Sequence, residues 1–333
     1  MVEALVKAAS GFSEKVTVLA PQGSKLNAAS GKVHLIEIAG ACVQQAFITS
    51  HRDSKNDVLA GILESARKMA GERDVVLSLS YDCPAFNASG MFPDTTLLHY
   101  ITMALDELET KKVITRLATE TPHQVAFMSD PQAAFFAGDK QVNILPMGID
   151  FSNYLLNLAP KPILGWAGRI SPEKDVALAM HVASELHMPL RIIGAVQDKQ
   201  YWEQCKMEYP SLQFEHIGFM ETQAFQRSLG EVSVFLMTSS WLEAFGIVVI
   251  EAQACGVPVV CYEGTGSSGI VRHGHTGYVV KRGDKEGFIE AVRLAMQLNR
   301  EICRTDIESR FNSSVFEQAL QAWVKDALTA HYK

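Results

Sequence analysis

Two carboxylates eight positions apart carry most of the chemical information in this chain. Glu243 opens the segment Glu243-Ala244-Phe245-Gly246-Ile247-Val248-Val249-Ile250-Glu251 and Glu251 closes it. The Phe-Gly turn leaves backbone N–H groups free. A helix starting near Gly246 would aim its first-turn N–H groups at whatever the preceding loop holds, which makes an anion site. Glu251, one turn into such a helix, has a carboxylate that accepts two hydrogen bonds and so suits a ribose diol. Gly256 and Pro258 mark where this helix ends. A second cluster, Gly168-Arg169-Ile170-Ser171-Pro172-Glu173-Lys174, follows an apolar run at 163–167. Arg169 and Lys174 on such a loop supply two cations for a diphosphate, and Arg binds one bidentately.

His99 ends an apolar run and Asp82 follows another. Both would stand at the carboxyl edge of a first sheet, where a His orients a hydroxyl or shares a proton; a capping or packing role is the plain alternative. Gly264-Thr265-Gly266-Ser267-Ser268-Gly269 matches G-x-G-x-x-G. A dinucleotide fingerprint needs a helix there and an acid about 20 residues on, whereas Arg272-His273-Gly274-His275 turns the chain almost at once. The glycines are expected to form a loop facing the same ligand. His273 and His275 have no third ligand nearby and are expected to be exposed. Trp166, Trp202 and Trp241 read as core or wall residues.

The elements that must position these groups alternate from end to end. Strand-like runs fall at 16–20, 33–38, 74–79, 95–99, 125–128 and 142–145, then at 163–167, 190–193, 214–217, 232–237, 257–261 and 278–280, with helix-like stretches such as 174–186 and 288–298 between them. Such alternation implies parallel sheets covered by helices, with ligands at the carboxyl ends of strands. Pro160 and Pro162 divide two such series. The expected domains are 1–155, 156–312 and a C-terminal helix at 313–333 packing back toward the first domain. The chain opens with a helix-like stretch, Val2 to Ala9, where a doubly wound domain would open with a strand and a Gly-rich turn.

Composition narrows the class. The 333 residues are 47% hydrophobic and 20% charged, which suits a globular protein with large cores. A net charge of −7 argues against nucleic acid as a partner. No apolar run reaches the length of a membrane span, so no integral membrane contact is expected. The six cysteines (Cys42, Cys83, Cys205, Cys255, Cys261 and Cys303) show no zinc spacing and read mostly as buried free thiols in a cytoplasmic protein. No acidic metal cluster stands out, and no metal is expected.

Taken in order, the motifs resemble the retaining glycosyltransferases of family 4, which have the GT-B fold: two doubly wound Rossmann-like α/β domains facing across a cleft. The resemblance runs through Gly168-Arg169…Glu173-Lys174, His216-Ile217-Gly218-Phe219, Glu243-Ala244-Phe245-Gly246…Glu251-Ala252, Ala254 to Val260, and Gly274-His275-Thr276-Gly277, with Pro146-Met147-Gly148-Ile149-Asp150 as the domain-junction turn. Within the family the chain is most similar to members that glucosylate tetrahydrobiopterin from UDP-glucose, through 18–24, 35–41, Ser80-Tyr81-Asp82 and 197–202.

The resemblance implies a hexosyltransferase with a nucleoside-diphosphate sugar as co-substrate, no cofactor, and a small acceptor such as a pterin; it leaves the oligomeric state open. Arg169 and Lys174 would hold the diphosphate and Glu251 the ribose. Glu243, with the backbone of Phe245, Gly246 and Ile247, would hold the transferred sugar and distal phosphate. Gly168 would line the donor site and Gly218 and Phe219 would lie by the base, with His99 and Asp82 on the acceptor side. The chain departs from the family where Gly269 replaces a Glu, where Met147 replaces an Asn, and at its start. Without an opening strand, the first sheet would have two unpaired edges. The rival reading is a non-catalytic nucleotide-sugar-binding protein.

Overall fold

The computed structural model describes residues 1–27, 31–39, 53–80, 82–103, 108–239 and 241–332. Cys42, Gly40, Ala41 and Tyr81 lie outside the described residues. Residues 1–128, 133–148 and 313–333 form one compact unit, and residues 129–132 and 149–312 form another.

The first unit contains β1 (Val16–Pro21), β2 (Val33–Ile38), β3 (Val75–Ser78), β4 (Thr96–Ile101), β5 (Val125–Phe127) and β6 (Asn143–Ile144). They form two parallel sheets, β1-β2 and β3-β4-β5-β6. Among the described residues β1 pairs with β2 alone and β3 with β4 alone, so each presents an edge. Both edges nonetheless share a core, in which Leu19 of β1 and Val76 of β3 pack on Leu63, Ala66, Phe92 and Leu97. The helix Ser313–His331 belongs to this unit, and Trp323 Nε1 donates to the His123 carbonyl at 2.8 Å.

One expectation needs correction here. The polar ring of His99 suggested the end of a strand, but β4 runs on through Tyr100 and Ile101. Both are buried, the Tyr100 hydroxyl donates to the Leu145 carbonyl at 2.6 Å, and Ile101 pairs with Phe127. All six positions of β4 are buried, as in a strand covered on both faces, so burial of the next two residues outweighs the polarity of His99.

The second unit holds one six-stranded parallel sheet of β7 (Leu164–Ala167), β8 (Leu190–Ile193), β9 (Phe214–Ile217), β10 (Val234–Met237), β11 (Val259–Tyr262) and β12 (Gly277–Val280), in the order β12-β11-β10-β7-β8-β9. The four central strands are continuous apolar runs, and Leu164, Leu190, Ile192, Val234, Leu236 and Val260 join one core. Burying each such side chain contributes about 1.5–3 kcal/mol. Arg191 is the exception on β8. It is tolerated because Glu215, Glu231 and the Ser228 carbonyl accept its hydrogen bonds at 3.1, 2.7 and 3.1 Å. Chain order reverses beside β7: β8 and β9 lie on one side, β10 to β12 on the other. That reversal opens a crevice between the carboxyl ends of β7 and β10.

Candidate active site

The two loops at this crevice carry the residues singled out above. After β7 the chain runs through Gly168 and Arg169 into a 3-10 turn, Pro172–Lys174, and then the helix Val176–Glu185. Asp175 joins turn to helix in a left-handed conformation (φ 51°), and its carboxylate accepts from Leu178 N at 3.1 Å as the helix cap. After β10 the loop carries Thr238 and Ser239 on to Glu243 and the helix Ile247–Ala254.

Lys174 and Glu243 meet across the crevice as an ion pair, with side chains only 18% and 16% exposed. Sequence reasoning gave these residues separate partners, a phosphate and a sugar; the structure brings them together. The Lys174 turn is held from β10. The Thr238 hydroxyl lies 2.7 Å from the Asp175 carbonyl and 3.1 Å from that of Lys174, and it accepts from Trp166 Nε1 at 2.9 Å. The Ser239 hydroxyl donates to the Glu173 carbonyl at 3.3 Å. Neither hydroxyl stands out in the sequence, since Thr-Ser after a strand is ordinary loop composition.

Arg169 is the exposed cation of the set. Its guanidinium donates to Gln197 Oε1 at 2.9 Å, from the loop after β8, and lies 3.9 Å from Glu173. The Glu173 carboxylate also accepts from Ser171 Oγ at 2.7 Å. Gly168 donates its N–H to the Ile193 carbonyl at 3.0 Å. Gly218 and Phe219 lie in the loop after the edge strand β9, and the Phe219 ring is 83% exposed.

Gly246 is the N-cap of the helix Ile247–Ala254, in a left-handed conformation (φ 96°) and without a side-chain cap. A Cβ there would run into the hydroxyl of buried Ser267. The Phe245 ring packs on Phe311, which leaves its backbone to the turn. The loop is braced twice more: Gly266 N donates to the Glu243 carbonyl at 2.8 Å, and Ser129 Oγ donates to the Ala244 carbonyl at 2.6 Å. A Cβ on Gly266 would come within 2.5 Å of the Ala244 oxygen, so this glycine is explained by close backbone approach. The expected loop at 264–269 is instead a short helix, Gly266–Ile270, started by Thr265, whose hydroxyl donates to the Tyr262 carbonyl at 3.0 Å. His273 and His275 are exposed, and the described residues contain no group of three His, Cys, Asp or Glu placed to hold a metal.

Glu251 lies one turn inside its helix. Burial raises its carboxyl to about 7, against the opposing effect of a hydrogen bond donated by Tyr154 at 2.9 Å. On the first unit, Asp82 precedes the short helix Cys83–Phe86, which follows β3. His99 is buried beside Phe86, their ring centroids 5.6 Å apart. Neither of its ring nitrogens has a hydrogen-bond partner among the described residues, and burial lowers its pKa to about 4.

Residues 155–310 match the model of the glycosyl transferases group 1 family. The match covers a little under half of the chain. The chain is 29% identical over 136 residues to sulfoquinovosyl transferase SQD2 of Arabidopsis thaliana, covering 40% of this chain and 26% of that protein. It spans 27% and 39% of two further curated relatives, so these likenesses concern part of each protein. Among solved structures, sucrose-phosphate synthase from Thermosynechococcus elongatus superposes with a TM-score of 0.79 at 16% identity, covering 99% of this chain and 93% of that one. Anabaena HepE, solved in complex with UDP-glucose, gives a TM-score of 0.71 at 16% identity, covering 98% and 95%. The fold is GT-B-like. No described helix is long and apolar enough to cross a membrane.

Proposed function

We propose that the protein is a retaining glycosyltransferase that moves glucose from UDP-glucose to a small acceptor, a pterin of the tetrahydrobiopterin type. The observation that carries the donor half is the convergence, at one crevice of the group 1 domain, of Lys174, Glu243 and the helix start at Gly246, with Glu251 one turn further in. The UDP-glucose complex of HepE supports the choice of donor. The acceptor rests on the sequence stretches at 18–24, 35–41, 80–82 and 197–202.

In this reading the bond from the anomeric carbon to the β-phosphate oxygen breaks as the acceptor oxygen bonds to the same face. The acceptor proton passes to the departing phosphate. Charge developing on the nucleoside diphosphate is met by Arg169, Lys174 and the N–H groups at Gly246 and Ile247, all placed in advance. Glu243 positions the sugar, and its hold on Lys174 sets the ammonium at the crevice. Glu251 takes the ribose, and Phe219 offers an exposed ring to the base. These protein cations meet the charge without a metal.

Calorimetry with UDP and UDP-glucose tests the donor site. Binding that Glu251→Ala abolishes supports it, and absence of binding to either ligand overturns it. UDP release with and without tetrahydrobiopterin, with the anomeric configuration read by NMR, tests the reaction. Binding without turnover on any acceptor favours the rival non-catalytic reading, in keeping with the division of the first unit into two sheets.

A further inference from the structure

Glu251 does not stand alone on its helix. Tyr154 closes a 3-10 turn, Phe151–Asn153, that Asp150 caps by accepting from Ser152 N at 3.1 Å. The Tyr154 side chain is buried, and its hydroxyl donates to Glu251 Oε1 at 2.9 Å, 97 residues away in sequence. Burial and the neighbouring Glu251 carboxylate raise the Tyr154 phenol, with buried Gln226 opposing, so the hydroxyl keeps its proton for Glu251.

The turn is bolted to the helix that bears Glu251. Arg304 Nη1 donates to the carbonyls of Tyr154 at 2.8 Å and Ala254 at 2.6 Å, and Nη2 donates to Phe151 O at 3.1 Å. Ala254 is the last residue of the helix Ile247–Ala254, so the guanidinium also sits at the negative end of that helix. Its carbon lies 5.0 Å from the centroid of the Phe151 ring. One rigid fork therefore fixes the distance between the Tyr154 backbone and the helix of Glu251.

We infer that Tyr154 is a positioning residue for donor recognition: it occupies one acceptor site of Glu251 and aims the remaining ones at the two ribose hydroxyls. The inference rests on the nucleotide-sugar reading of this site. A carboxylate has about four acceptor positions, and a diol needs two on one side. A carboxylate free to rotate would offer them only part of the time, whereas one pinned at Oε1 presents Oε2 steadily. Tyr154 thereby confers preference for a ribose diol without touching the nucleotide.

The test compares UDP with 2′,3′-dideoxy-UDP, by calorimetry on the whole protein, for wild type, Tyr154→Phe and Glu251→Gln. Phe keeps the ring and its packing and removes only the hydroxyl. Wild type should prefer UDP; Glu251→Gln should erase that preference. Tyr154→Phe should weaken UDP about tenfold, the scale of one hydrogen bond to a charged group, and leave dideoxy-UDP unchanged. In turnover it should raise the donor KM by about the same factor, with kcat held within about twofold. Equal weakening of both nucleotides, or a retained ribose preference in Tyr154→Phe, overturns the inference while the donor reading stands. If wild type binds neither nucleotide, the donor reading falls and the inference with it.

Discussion

Lys174 and Glu243 form an ion pair across the point where the order of the second sheet reverses, joining the loop after β7 to the loop after β10. Loss of Lys174 removes a cation from the leaving group, and loss of one preorganised donor commonly costs about 10²–10³-fold in kcat. Lys174→Ala should show that loss in UDP-release kinetics. It should also melt earlier, because Glu243 is left mostly buried and without its ion-pair partner. The double variant Lys174→Ala/Glu243→Gln should recover the melting temperature and not the rate. Recovery of both would make the pair purely structural.

Glu251 makes stability depend on pH with a definite sign. Burial pushes its folded carboxyl up to about 7 from the ordinary 4.5 of a free glutamate, so the folded state holds the proton more tightly. The stabilisation is fully present below about 4.5 and is lost as pH rises through 7, a span worth ~3 kcal/mol. Thermal melts of Glu251→Gln should lack this slope. UDP affinity should move the other way, rising toward pH 7 and above as the carboxylate ionises to accept the diol. A flat UDP affinity between pH 5.5 and 8 would count against Glu251 as the ribose group.

Gly246 joins two constraints, a positive φ and a Cβ direction blocked by Ser267. Gly246→Ala should cost about 1–3 kcal/mol in chemical denaturation. It should also lose UDP binding, since the helix start is what shifts. Unchanged binding in a destabilised variant would detach the helix start from the donor site.

Thr238 is fully buried and serves Trp166, Lys174 and Asp175 with one hydroxyl. Thr238→Val keeps the shape but orphans the indole N–H, a loss of about 1–3 kcal/mol. Thr238→Ser should retain most of the stability and activity. Equal behaviour of the two variants would show that packing, not the hydroxyl, holds the Lys174 turn.

Charge on the departing diphosphate is met by side chains and helix N–H groups in the proposed mechanism, so turnover should survive EDTA and be indifferent to added magnesium. Loss of UDP release on chelation, restored by a divalent cation, would overturn that part of the mechanism.

Much of this molecule is legible in the order of its residues. Among the described residues the twelve strands overlap the apolar runs, most plainly the buried β4, β10 and β11, because a strand buried on both faces needs an unbroken hydrophobic stretch. The helix start at Gly246 is likewise local, since its positive φ favours glycine. What local pattern leaves open is set by long-range packing. His99 lies inside β4 because Tyr100 and Ile101 bury beside it. The sheet order, and with it the crevice between β7 and β10, depends on which strands pair across tens of residues. Only that pairing sets Lys174 against Glu243, Thr238 against the Lys174 turn, and Tyr154 against Glu251. Residue types and spacing by themselves determined the chemistry on offer, two cations, two carboxylates and a helix start. The tertiary structure alone decided which of them hold one another in place, because a hydrogen bond between residues 69 or 97 apart leaves no periodic trace in the chain.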